Sequence, residues 1–202
     1  APLLAEGDAK AIMKEADFPY LSCNWVDLRT TLRVLPSVKV FVRGGRRIAF
    51  VGVTTPETFT KSTPAYFMDK AQRKYIYDIQ GGEDGKKLYD AVQKAIDKAK
   101  LLADVVIGLG HLGVDPSSSP WTSEEVIANT TGFDAFIDGH SHTVMTKGEK
   151  GEPIQSTGTA FKNIGVIVID DASKKIESNS LYEIKEDTAK DATVAAAATT
   201  IV

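Results

Sequence analysis

The sequence is poor in the features that would settle its class at once. It has one cysteine, so no intrachain disulfide and no multi-cysteine zinc site can form. No apolar run approaches the roughly 20 residues that a membrane-spanning helix needs. Basic residues are too few and too scattered for a nucleic-acid footprint, since 24 Lys and Arg face 27 Asp and Glu, and the densest basic clusters are isolated pairs such as Arg46-Arg47 and Lys86-Lys87. No basic segment leads into an apolar stretch at the start, so the chain shows no signal peptide. Ordinary apolar content and a formal net charge of -3 describe a soluble globular chain with enough apolar residues for a core. Cys23 lies in the apolar stretch Tyr20–Trp25 and reads as a buried, inert thiol.

Histidine is also scarce, and its placement is informative. All three histidines fall in two short segments, each following an apolar run: Val105-Val106-Ile107-Gly108-Leu109-Gly110-His111 and Phe136-Ile137-Asp138-Gly139-His140-Ser141-His142. Imidazole is the commonest protein ligand for zinc-like metals, and two ligands one residue apart on a turn can face one pocket.

The pattern around them predicts an α/β fold. Leu88, Ala91, Val92, Ala95, Ile96, Ala99 and Leu102 recur at helical spacing, which predicts an amphipathic helix over 86–102 leading into a buried strand at Val105–Leu109. Thr122-Ser123-Glu124-Glu125 has the form of a capping box, and a second helix is expected from there to Gly132, followed by a strand at Phe133–Ile137. Helix, strand and His loop thus occur twice. In α/β sheets ligands gather beyond the carboxyl ends of the strands, where His111, His140 and His142 are expected, with Gly110, Gly113 and Gly139 allowing sharp turns and close approach to an ion. Asp115 and Asp138 stand beside these loops as candidate hydrogen-bond acceptors for ligand imidazoles, and a solvated loop carboxylate is the competing reading.

Elsewhere, Ser37–Val42 and Arg47–Val53 flank Arg43-Gly44-Gly45-Arg46, the clearest hairpin in the chain. Residues 5–15 read as a short helix carrying Ile12 and Met13, and Tyr20–Trp25 as a strand. The aromatic-rich 54–82 segment lacks periodicity. Strands are expected at Pro153–Ser156, Ile164–Asp170 and Ile176–Ile184, and the alanine-rich end reads as a helix.

Four segments carry a resemblance. Asp17-Phe18-Pro19-Tyr20-Leu21-Ser22-Cys23-Asn24, Ile48–Glu57 ending in Thr54-Thr55-Pro56-Glu57, His111-Leu112-Gly113, and Gly139-His140-Ser141-His142-Thr143 are similar to segments of the metal-dependent 5′-nucleotidases, within the calcineurin-like metallophosphoesterases. The last two match the family's H-x-G and GGHSHT metal motifs, with Asp138 in place of the first glycine of the latter.

The resemblance implies a four-layer α/β/β/α sandwich with mixed sheets. It implies two divalent metal ions, zinc or manganese, with His111 and His140 on one ion and His142 on the other. It implies hydrolysis of a phosphate ester, foremost a nucleoside 5′-monophosphate, by a parent protein exported to the periplasm or cell surface. Cyclic-nucleotide phosphodiesterase, nucleotide-sugar hydrolase and thiosulfohydrolase activities share similar His motifs.

The family's first-half motifs, which supply the bridging aspartate, the asparagine ligand and the catalytic histidine, would lie before residue 1. The expected division is therefore 1–186 as the second half of the catalytic domain and 187–202 as the start of an interdomain helix. The expected consequences are weak metal binding by the chain alone, no catalytic residue of its own, and exposed sheet edges that invite a second copy or an N-terminal fragment. The readings from other classes are a non-catalytic metal-binding fragment and a mononuclear three-histidine zinc hydrolase.

Overall fold

The computed structural model describes residues 13–69 and 71–199. Most of the helix expected over 5–15, Ile12 included, lies outside the described residues, of which 13–15 are helical.

A six-stranded mixed sheet organises the molecule. The expected hairpin forms its first two strands, β2 (Val38–Arg43) and β3 (Arg46–Thr54), paired antiparallel from Val38↔Val51 to Arg43↔Arg46. Gly44 and Gly45 take φ values of 54° and 76° at the turn, the left-handed region that glycine enters without steric cost. β7 (Val105–His111) and β8 (Ala135–Asp138) continue the sheet in parallel with β3, and β10 (Ile154–Thr157) is parallel to β8. The short β9 (Val144–Met145) closes the far edge antiparallel to β10.

One face of this sheet is covered by helices. The 15-residue helix α2 (Lys86–Lys100) buries Leu88, Ala91, Val92, Ala95, Ile96 and Ala99 against Ala49, Val51 and Val106; the last member of the expected stripe, Leu102, lies beyond its end and is exposed. Each of the three larger side chains contributes roughly 1.5–3 kcal/mol by leaving water. The helix α3 (Ser123–Ala128) packs beside it and opens with the complete capping box: the Glu125 amide donates to Thr122 Oγ1, and Glu125 Oε2 accepts from the Thr122 amide. This helix stops at Asn129, short of Gly132, because Asn129 Nδ2 and Thr130 Oγ1 turn back onto the Glu125 and Val126 carbonyls and compete with further turns.

The other face is covered in part by a long antiparallel pair, β11 (Asn163–Ile169) and β12 (Ile176–Glu183). Gln155 fixes it there: its Nε2 donates to Asn179 Oδ1 at 2.6 Å and to the Ser180 carbonyl at 3.3 Å, while its neighbour Ile154 points into the helix-side core. Helices, six-stranded sheet and hairpin make three layers of the expected α/β/β/α sandwich. Leu109, which shares the Gln155 face by register, is 43% exposed, and Ile164 and Tyr182 of the hairpin are exposed as well.

The 54–82 segment folds into a small satellite: the turn of helix α1 (Thr58–Lys61), the pairs β4 (Met68–Asp69) with β5 (Lys74–Tyr75) and β1 (Trp25–Asp27) with β6 (Tyr77–Ile79), and a cluster of Phe67, Tyr77 and Ile79 with Trp25 and Phe59 against it. The strand expected at Tyr20–Trp25 does not form over 20–24; a three-residue strand begins only at Trp25 and runs to Asp27. Buried Asn24 replaces the ladder: its Nδ2 donates to the carbonyls of Thr54 and Gln80, and its Oδ1 accepts from the Thr54 amide. The alanine-rich end forms the exposed helix α4 (Ala192–Thr199).

Candidate metal centre at the carboxyl ends of the strands

Parallel pairing brings the chemistry-bearing residues to one end of the sheet. Thr54 of β3 lies beside His111, the last residue of β7, and Asp138 ends β8 just before Gly139 and His140. The glycines divide their work. A side chain at Gly108 or Gly110 would come within 2.2 or 2.6 Å of the Phe136 ring, so these two glycines let a fully buried Phe136 lie beneath β7. Gly110 thus serves packing, in place of the close approach to an ion expected of it. Gly139 does face the site: a Cβ there would meet His111 Nδ1 at 3.3 Å.

His111 and His140 come together, with ring centroids 4.9 Å apart and planes at 65°. Partial desolvation, then the neighbouring His140 and His142 imidazoles, lower the His111 pKa against the opposing pull of Asp138, so this ring stays neutral to lower pH than an ordinary histidine. A neutral imidazole is the form that binds metal. His142 lies two residues on in the same loop and is exposed. Both His140 (φ 81°) and His142 (φ 55°) adopt left-handed backbone, an uncommon conformation for a residue with a Cβ that tends to persist at functional sites. The loop is tied to its neighbour by Ser141 Oγ, which accepts from the Val114 amide at 3.2 Å, and by Asp138 Oδ1, which accepts from the Leu112 amide at 2.9 Å. Asp138 therefore braces the H-x-G turn itself. Asp115 caps the short 3-10 turn Pro116–Ser118, and the hydrogen bonds from Ser117 hold its carboxyl below the usual carboxylate range.

One carboxylate that the sequence analysis did not single out as a site residue stands at the centre of this end. Glu57, the last residue of the Thr-Thr-Pro-Glu segment, is 6% exposed. Its Oε2 lies 2.8 Å from His140 Nε2 and accepts from Ser118 Oγ at 2.7 Å, and its Oε1 pairs with Lys61 Nζ at 2.9 Å. Burial raises its pKa, but the bonds from Lys61, Ser118 and His140 outweigh that and hold it below the ordinary value. The early signals were its place at the end of a segment that carries the family resemblance and, in the fold, three residues beyond the end of β3.

The residues fit one flank of a metal centre. Two imidazoles converge, and His140 keeps Nδ1 available if its Nε2 serves Glu57. Among the described residues, no group of three or more His, Cys, Asp or Glu stands together as a ligand set.

No family model matches the chain. Two curated relatives do: an apyrase of Tabanus yao, 25% identical over 154 residues covering 71% of this chain and 24% of the relative, and the protein UshA of Yersinia enterocolitica, 27% identical over 129 residues covering 63% and 22%. The chain thus spans about a quarter of the length of these relatives. Among solved structures, the sulfate thiohydrolase SoxB of Thermus thermophilus superposes with a TM-score of 0.75 at 16% identity, covering 98% of this chain and 34% of that one. The calcineurin-like phosphoesterase YfkN of Bacillus subtilis gives 0.70 at 21% identity, covering 96% and 64%, and the putative 5′-nucleotidase of Staphylococcus aureus gives 0.65 at 20%, covering 95% and 38%. The chain shares its fold with these solved structures, a calcineurin-like phosphoesterase among them. The paired histidines therefore sit in a sandwich that this chain shares with phosphoesterases and nucleotidases, at the strand ends where such a sheet gathers its ligands. No helix among the described residues is long and apolar enough to cross a membrane.

Proposed function

We propose that this chain is the second half of the catalytic domain of a metal-dependent phosphate-ester hydrolase that acts on nucleoside 5′-monophosphates, with 187–202 beginning a connection to a further domain. The observation that carries the reading is the meeting of His111 and His140 at the ends of adjacent parallel strands in a metallophosphoesterase fold. His111 and His140 hold one divalent ion and His142 the second. Bound zinc or manganese supplies Lewis acidity toward the phosphate and an ionisable water. The chain's own part is to present neutral imidazoles from a braced loop. Three uncharged ligands offset little of the charge of two divalent ions, so the anionic ligands come from the preceding half of the domain. The open face around Leu109 and the outer edges of the β11–β12 pair are the surfaces where that half would add its strands. Export to the periplasm or cell surface belongs to the same proposal.

The test is a substrate panel on the full-length protein: 5′-AMP, a 2′,3′-cyclic nucleotide, a nucleotide sugar and thiosulfate, each with and without a chelator. The expected result is chelator-sensitive release of phosphate from 5′-AMP, falling by at least 100-fold in His140→Ala. Activity that survives both chelator and His140→Ala would overturn it, and preference for another member of the panel would reassign the substrate. For the chain alone, 5′-AMP turnover close to that of the full-length protein would refute the half-site reading.

A further inference from the structure

We propose that Glu57 is the positioning residue of the His loop, holding His140 in the tautomer that leaves Nδ1 for a ligand. The metal part of this rests on the function proposed above, whereas the tautomer part rests on geometry alone.

Three loops that leave the carboxyl ends of β3, β7 and β8 meet at this carboxylate. Glu57 follows β3, Ser118 follows β7 and His140 follows β8, separated by 61 and 83 residues of sequence from Glu57. An ionised carboxylate only accepts hydrogen bonds. Oε2 already accepts from Ser118 Oγ, so the 2.8 Å contact with His140 requires Nε2–H to donate. A neutral imidazole with Nε2 protonated carries its lone pair on Nδ1. Lys61 occupies the other oxygen at 2.9 Å, which balances the charge without competing for the imidazole. The carboxylate cannot swing away cheaply, because Glu57 is 6% and its partner Ser118 1% exposed. The backbone adds a reason for such a brace. His140 sits at φ 81°, and a residue in that conformation persists when its surroundings over-determine it. A carboxylate on the far nitrogen of a ligand imidazole fixes ring orientation and raises ligand basicity, and losing such a partner typically costs 10- to 100-fold in metal affinity. No other histidine of the chain has a carboxylate partner among the described residues.

The test uses this chain labelled with 15N-histidine, metal-free, at about pH 8, above the ordinary imidazole range of ~6.5. Long-range proton–nitrogen correlations report which nitrogen of His140 carries the proton, and zinc affinity is measured on the same samples. The wild-type protein is expected to show His140 as the Nε2–H form, and Glu57→Ala to show a mixture of tautomers with zinc affinity reduced 10- to 100-fold. Glu57→Gln, whose amide oxygen still accepts, is expected to keep the tautomer and bind zinc at an intermediate strength. A wild-type His140 protonated on Nδ1, which needs no variant to fold, would overturn the proposal. So would Glu57→Ala with unchanged tautomer and zinc affinity. If wild type and variant both fail to bind zinc while the tautomer shifts as expected, the positioning role is upheld and the metal reading is what fails.

Discussion

At each end of the six-stranded sheet one carboxylate ties three elements together, and the two differ in the burial of their partners. At the amino end Asp104, just before β7, accepts from the Arg47 amide at 3.0 Å and from Arg47 Nη2 and Lys174 Nζ at 3.1 Å each, joining β3, β7 and the β11–β12 turn. Its cationic partners are 53% and 44% exposed. At the carboxyl end Glu57 also joins three elements, but its partners are a buried serine, a half-buried histidine and one exposed lysine. Solvated ion pairs contribute little and can be exchanged for water. A buried carboxylate with a hydroxyl and an imidazole cannot, and it imposes one orientation on each. The amino end is built to hold strands together, the carboxyl end to hold a side chain still.

Phe136 lies under Gly108 and Gly110 of β7 and is the largest fully buried side chain, so Phe136→Ala is expected to cost about 3–5 kcal/mol and to loosen both ends at once. Urea unfolding of the metal-free chain measures this; a cost below about 1 kcal/mol would mean that the glycines are not there for this ring.

The two carboxylates should separate next. Glu57→Ala strands Ser118 Oγ and His140 Nε2 without a protein partner and is expected to cost about 1–3 kcal/mol in the same experiment, more than Asp104→Ala, whose partners return to solvent. An equal loss from both would erase the distinction.

What was legible in the sequence follows from range. The Gly44-Gly45 turn, the stripe of α2 and the Thr122–Glu125 capping box are decided by residues within one turn or one helix of each other, and each formed as expected. The two helix–strand–His units were legible for the same reason, and the parallel pairing of β7 with β8 then placed both His loops at one end. Glu57 could not be read this way, because its meaning lies in partners 61 and 83 residues distant. Nor could Asn24, whose side chain takes the bonds to Thr54 where a strand was expected over 20–25. The purpose of Gly110 was misjudged because a glycine beside a histidine and a glycine above a phenylalanine look alike until the strands are paired.

The strain at the carboxyl end offers a smaller and opposite effect. His142 is exposed at φ 55°, so His142→Gly should stabilise the metal-free protein by about 0.5–1 kcal/mol, seen as a raised Tm, while removing a candidate ligand. A lowered Tm would show that the loop is held by contacts of the His142 ring.

The smallest effect is at the amino end. Arg47, through its side chain and then its amide, and Lys174 hold the Asp104 carboxyl well below the usual range. A carboxyl lowered in the folded state stabilises the protein above its unfolded pKa of ~3.9, and that contribution is lost as pH falls through the folded value. The Tm difference between wild type and Asp104→Asn should therefore be present at neutral pH and narrow below about pH 4. A difference that grows on acidification would contradict the assignment.

We propose that the carboxyl end of the sheet carries half of a metal centre. Metal content per chain, measured after exposure to zinc or manganese and removal of the excess, tests it most directly. The expected result is no more than one ion per chain, abolished in the double variant His111→Ala, His140→Ala and retained in Asp104→Asn. Two firmly held ions per isolated chain, or an ion that survives loss of both histidines, would contradict it.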